Sequence, residues 1–295
     1  MPLRSALVAT LFLAGPAFLA ISATAQEGKL PSLAQNKAAQ DDSQPIEPME
    51  KVVLFNGKDF TGLVGWLSKT GYEDPTNAYT VVDGTIRMSG EGVGFVRTDK
   101  KYKNYHLSVE FKWGQGRTNT SKYVRNSGVL LHGSGIDGGT GNKAWMASIE
   151  IQLAQGCEGD IIVIGGADKD GGRIASSATG KMVLGPDKKL RWSPEGVETR
   201  SGGKQLWWSK HQVGFQELLD TRGENDVASP YGEWTKVDLI CWEDTVTVKI
   251  NGQTVNQVYD VKPSSGYILL ENEQYEIFFR NFEIKPVAPE DRFRK

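Results

Sequence analysis

Apolar and polar residues alternate with a period of two over much of the chain, the repeat of a β-strand that buries one face. In residues 148–153, SIEIQL, Ile149, Ile151 and Leu153 fall on one face and Ser148, Glu150 and Gln152 on the other. Residues 126–132, NSGVLLH, divide into a core set of Ser127, Val129 and Leu131 and an open set of Asn126, Gly128, Leu130 and His132. Residues 105–113, YHLSVEFKW, set Leu107, Val109, Phe111 and Trp113 against His106, Ser108, Glu110 and Lys112, a half-buried strand with one wet face.

Further strands are predicted at 52–55, 79–82, 85–88, 94–97, 160–164, 235–242, 245–250, 253–258, 266–270 and 275–284. Asp83-Gly84 and Asn251-Gly252 are two-residue hairpin signals between four of them. Residues 165–205, rich in Gly, Lys, Asp and Ser, predict loops and excursions, with a hairpin around 189–192. Residues 206–219 carry Trp207, Trp208, His211 and Phe215 and are expected beside the site, with the two tryptophans packed as a pair. No long amphipathic helix with caps is present. Many short strands separated by turns define an all-β sandwich or barrel in one domain.

The N-terminus changes the picture of where this domain works. Met1 to Arg4 form a positive start, 6–21 an apolar run broken by Gly15-Pro16, and Ala23-Thr24-Ala25 an A-x-A cleavage site before Gln26. Residues 1–25 are therefore expected to be a secretory signal peptide, and the mature protein to be periplasmic or extracellular with no membrane span. Residues 26–50, with Pro31, Pro45 and Pro48 and no periodicity, read as a flexible linker. The folded domain is expected over 51–287, with a tail from 288.

Composition bounds the partners. The 295 residues carry 34 Lys+Arg against 36 Asp+Glu, a net charge of -2, which argues against a nucleic-acid partner. Eight Trp and nine Tyr are plentiful, and aromatics of this kind either pack or stack on sugar rings. Two cysteines, Cys157 and Cys241, and three histidines without close spacing exclude a zinc-finger type of site; whether the cysteines pair is open.

Several stretches occur in an order that carries a family resemblance: LFNGKDFTGLVGW, NSGVLLHG, SIEIQL with GDIIVIGG, GEWTKVDLI, KINGQTVN and GYILLENEQYEIFFRNFEIKPV. Together they resemble the 3-keto-disaccharide hydrolase domain family, across Lys51 to about Val287. The resemblance implies a concanavalin A-like jelly-roll β-sandwich with a concave, glycan-binding sheet, a bacterial origin and a carbohydrate substrate. In that family an Arg commonly ends the NSG strand, where this chain has His132. An acidic residue precedes F-R-N near the end of the sheet; Glu273 matches it, with Glu271 in place of a more usual Gln and Arg280-Asn281 completing the pattern.

The related fold of the family 16 glycoside hydrolases carries E-x-D-x-x-E on one strand. Here the same register reads Glu150, Gln152 and Gln155. Direct retaining hydrolysis needs two carboxylates, and this strand supplies one, which argues against that chemistry unless a second arrives from elsewhere. A 3-keto sugar needs less: one base for the C2 proton, one stabiliser for the enolate and one acid for the leaving group. Glu150 is the candidate base, or else a ligand of a divalent metal ion, the candidate cofactor. His132 is the candidate acid, base or metal ligand. Asn126 and Gln152 are placed to orient sugar hydroxyls, and Trp145, Glu271, Glu273 and Arg280 are further substrate-binding candidates. Glu271 and Glu273 share a strand face, either as a paired-carboxylate site or as a solvated edge. A non-catalytic, lectin-like glycan-binding module is the alternative to an enzyme.

Overall fold

The computed structural model describes residues 28–29 and 43–293. The expected signal peptide and most of the expected linker lie outside the described residues. The described part of that linker is held to the body: Ile46 forms a parallel bridge with Tyr102, and Gly28–Lys29 pairs with Thr80 and Val81.

Two antiparallel sheets face each other. The broader sheet has twelve strands. Its centre runs Thr85–Met88, Tyr275–Pro286, Tyr105–Arg117, Thr235–Trp242, Thr245–Ile250, Gln253–Lys262 and Ser177–Leu184. The second sheet has six strands, in the order Ile161–Ile164, Ala147–Gln152, Gly128–Ser134, Tyr267–Glu273, Val93–Thr98 and Leu63–Leu67. Among the described residues the only helical element is a single 3-10 turn at Pro289–Asp291. The all-β sandwich expected from the alternation is the observed architecture.

The core lies between the sheets. Val129, Leu131, Ile149, Ile151, Ile268 and Leu270 of the six-stranded sheet meet Leu107, Val109, Phe111, Val237, Leu239, Val248, Ile277 and Phe279 of the broader one in a single buried cluster. Each such side chain contributes roughly 1.5–3 kcal/mol by leaving water. Burial on one face fixes register, since a one-residue slip would expose the whole set. Both cysteines are buried and unpaired.

Several strands lie outside the expected set, among them Leu63–Leu67, Ser177–Leu184 and Val197–Arg200. Leu63–Leu67, LVGWL, does not alternate because nearly every residue in it is covered. Ser177–Leu184 reads as a loop by composition, yet it pairs with Gln253–Lys262, Leu190–Trp192 and Val197–Arg200. The chain changes sheet between Glu273 and Tyr275, and this divides the residues near the site. Tyr267–Glu273 belongs to the six-stranded sheet and Tyr275–Pro286 to the broader one, with Gln274 at φ 67 between them.

Candidate active site

The outer face of the six-stranded sheet holds two distinct regions. One is apolar: Phe95, Leu130, Met146, Tyr267 and Leu269 form a buried cluster, with Trp66, Trp145 and Ile164 packed on it. The loop at 135–146 closes over this cluster, and the Trp66 indole N–H donates to the Lys143 carbonyl at 2.9 Å. Beneath it Arg97 makes a two-pronged ion pair with Asp137, at 2.7 and 2.8 Å, and stacks 4.2 Å from the Tyr267 ring centre. Tyr72 donates to the same Asp137 at 2.7 Å. Trp145 thus enters the site region as part of a wall.

The other region is acidic. Glu150 pairs across the sheet with Leu130, and Glu271 with Phe95, so both carboxylates point away from the sandwich core. Gly128 lies on the strand between them. A Cβ there would sit 2.6 Å from Glu271 Oε2 and 3.1 Å from Glu150 Cγ. The two acids therefore lean together over the one position that has no side chain, a use of strand glycine to admit close approach. Glu273 lies two residues further along the same face and accepts from the Asn126 side-chain amide at 2.6 Å. Among the described residues no Lys, Arg or His forms an ion pair with any of the three.

Burial without a cation disfavours the charged form of each acid. Glu150 is pushed up to about 8, first by burial and then by the charges of Glu273 and Asp160. Burial takes Glu273 to about 7. Glu271, 1% exposed, is raised well above the ordinary carboxylate range by burial and then by Glu150 and Glu273. Its Oε2 has no hydrogen-bond partner, nor has Asn126 Oδ1. The three titrate as one set and share a limited number of charges near neutrality.

Gln152 keeps to the outer face, but its side-chain oxygen accepts from the backbone N–H groups of Leu153 and Ala154, at 2.9 and 3.0 Å, and so caps the strand end. Gln155 is tied to Arg125 and Asp220. Asp160 is fully buried and accepts from Trp208 N–H and from the Gln205 amide, both at 2.7 Å. It anchors the 205–208 segment beside the acids.

Two expected site residues are placed elsewhere. His132 does not share the face of Asn126 and Gly128. The pairing with Ala147–Gln152 shifts register between Leu131 and Ser134, and His132 takes φ 60 within that bulge. A bulge re-aims the side chain it carries. The His132 ring packs edge-on against Tyr105, a core residue of the other sheet, at 5.9 Å. Its Nδ1 donates to the Pro263 carbonyl at 3.0 Å, and burial lowers its pKa to about 4. Arg280 lies on the broader sheet, where it pairs with Glu110 at 2.6 Å and stacks on Trp234. The change of sheet at Gln274 separates it from Glu271 and Glu273. With His132 turned inward, no three His, Cys, Asp or Glu among the described residues are grouped closely enough to hold a metal ion.

The alternation alone leaves Glu271 open between a site and a solvated edge, and gives Gly128 no role. A signal for both is present in the chain: a glycine inside an alternating strand marks a close approach.

Fold and site together define a two-sheet β-sandwich with an acid cluster on one sheet face beside an aromatic wall. The chain belongs to the 3-keto-alpha-glucoside-1,2-lyase-like domain family, whose pattern it matches over residues 50–285. It is 22% identical over 229 residues to the 3-keto-disaccharide hydrolase of Bacteroides thetaiotaomicron, a match that covers 74% of this chain and 62% of that protein. The chain thus spans less than two thirds of that relative's length. Among solved structures it is similar to a provisionally named glycosyl hydrolase from Parabacteroides distasonis ATCC 8503, at 19% identity and a TM-score of 0.46, covering 81% of this chain and 94% of that one. It is also similar to the Bacillus licheniformis β-glucanase, at 11% identity and a TM-score of 0.40, covering 83% of this chain and 100% of that one.

Proposed function

We propose that the protein is an exported bacterial enzyme that cleaves 3-keto-glycosides by elimination and hydration. The observation that carries this reading is the pairing of Glu150, a nearly buried carboxyl raised to about 8, with a second, more strongly raised carboxyl across Gly128. A base of that strength suits a C–H made acidic by a neighbouring ketone. Glu150 takes the C2 proton. The C–H electron pair moves into the ring as an enolate, then forms the C1–C2 double bond as the C1–O bond breaks. Glu273, the least buried of the three acids, protonates the departing oxygen. Water then adds at C1 and a proton returns to C2, so the net change is hydrolysis. Asn126 holds Glu273, and Trp145 belongs to the wall against which the sugar lies.

A second reading has a specific basis. The second carboxylate that the Ala147–Gln152 strand lacks is supplied by Tyr267–Glu273, so direct hydrolysis through two acids has its components.

One experiment separates the readings. Turnover of a 3-keto-disaccharide in D2O places deuterium at C2 of the product if the proton is abstracted, and leaves C2 unlabelled in direct hydrolysis. Glu150→Gln lowers turnover by about 10³ or more if Glu150 is the base, within the range of general-base contributions. Unchanged turnover removes Glu150 from the reaction, and saturable glycan binding without product identifies a lectin-like module. Export is tested by N-terminal sequencing of the mature protein, with Gln26 as the expected first residue.

A further inference from the structure

We propose that Glu271 acts as a neutral carboxylic acid whose Oε2–H donates a hydrogen bond to the ketone oxygen of the substrate and to the enolate oxygen formed from it. The proposal rests on the reading of the site as a keto-sugar site, and it gives the ketone a specific partner.

Four observations carry it. Glu271 is the most deeply buried acid of the cluster, and its Oε2 has no partner within the protein. A buried polar atom left unpaired at a site is explained by a ligand group that completes it. The backbone that carries it is held from behind: Ser127 Oγ donates to the Glu271 main-chain carbonyl at 2.9 Å, which fixes the strand under the carboxyl. Oε2 leans over Gly128, toward the side on which Glu150 stands. A ketone held by Oε2 therefore presents its neighbouring carbon toward the base.

The surroundings keep the acid neutral. Glu150 faces it from the strand beyond Gly128, and Glu273 from its own strand. Gly128 and Leu130 on one neighbouring strand and Phe95 on the other bring no charge. Arg97, two residues along from Phe95, is the nearest cation in that register, and its Nε and Nη2 are both spent on Asp137. Nothing in the cluster balances a negative charge on Glu271, and burial opposes one. A carboxylic acid held neutral in this way is a donor, and a donor aimed at developing oxyanion charge is worth most where water is excluded.

The step balances without further reactants. The C2 proton passes to the Glu150 carboxylate, the C–H pair becomes the C2–C3 π bond, and the carbonyl π pair moves to oxygen. Glu271 keeps its proton throughout, and its hydrogen bond shortens as charge grows on the oxygen.

The test compares Glu271→Gln, which keeps an N–H donor, with Glu271→Leu, which keeps size and loses the donor. Turnover of a 3-keto-disaccharide is expected to fall less than about tenfold in the Gln variant and about 10²–10³-fold in the Leu variant, the loss typical of one oxyanion donor. The wild-type rate is expected to fall at alkaline pH as Glu271 ionises, and this limb is expected to be absent from the Gln variant. Equal losses in the two variants overturn the proposal. A second readout does not depend on turnover: in a Glu150→Gln background, the C=O stretch of a bound 3-keto-glucoside is measured by infrared difference spectroscopy. A shift to lower wavenumber with Glu or Gln at 271, lost with Leu, supports the proposal. A stretch unaffected by residue 271, or no binding of the ketone, overturns it. If the bound ketone shows the shift while the wild-type protein cleaves no 3-keto-glycoside, Glu271 stands as a carbonyl donor and the proposed reaction fails.

Discussion

Gly128 and Glu271 stand on adjacent strands so that a single added methyl group at residue 128 would come within 2.6 Å of Glu271 Oε2. The contact is with the far end of a side chain, which can swing away, so Gly128→Ala is expected to leave stability within about 1 kcal/mol of wild type. The same methyl group would part Glu271 from Glu150. Because misplacement of a reacting group by about 1 Å costs on the order of 10²-fold, turnover is expected to drop by about that factor. Thermal unfolding and steady-state kinetics on one preparation check both halves. Undiminished turnover would mean that the close approach of the two acids is not used.

The aromatic wall depends on a charge pair below it. Arg97 and Asp137 are 1% and 2% exposed at their side chains, and removal of one leaves the other buried without a partner. Arg97→Ala is expected to cost about 3–5 kcal/mol. Arg97→Lys is also expected to destabilise, since one ammonium cannot reproduce the two-pronged contact or the stacking on Tyr267. Denaturant unfolding of the two variants measures this, and a change below about 1 kcal/mol in Arg97→Ala would show that the pair contributes little.

His132 sets an acid limit on stability. Its pKa in the folded state, about 4, lies below its ordinary 6.5, so protonation opposes folding. The penalty is absent above pH 6.5 and grows as pH falls towards 4, reaching roughly 3 kcal/mol from the size of the shift. His132→Asn accepts the positive φ of the bulge and does not titrate. It is expected to lose less stability than wild type between pH 7 and pH 4.5, read as the difference in unfolding free energy at the two values. Glu150, with a raised pKa, acts in the opposite sense: its contribution is present below the ordinary carboxylate range and declines as pH rises towards 8.

The sandwich and its paired strands were legible in the sequence, because one-sided burial writes a period of two into the chain. Residues 79–82 and 85–88 around Asp83-Gly84, and 245–250 and 253–258 around Asn251-Gly252, pair as their turn residues predict. The family was legible too, from the order of its short motifs. Ser177–Leu184 was hidden because its inward set, Ala178, Gly180 and Met182, is mostly small while Val183 and Leu184 are exposed, so burial alternates along it but polarity does not.

The site was legible only in part. Glu150, Glu271 and Glu273 could be singled out as acids on open strand faces. Their meeting could not, because it depends on Gly128–Ser134 lying between strands more than a hundred residues apart in the chain. The alternation that placed Glu150 correctly misplaced His132, since one extra residue in a bulge reverses the faces beyond it. It also gave no warning that Arg280, seven residues past Glu273, would lie on the other sheet. Local properties are written in the chain: which residues are strand, which face is apolar and which side chains can do chemistry. Which of those side chains meet, and which carry charge, is settled on folding, because desolvation and the repulsion of like charges exist only once separate strands are brought together.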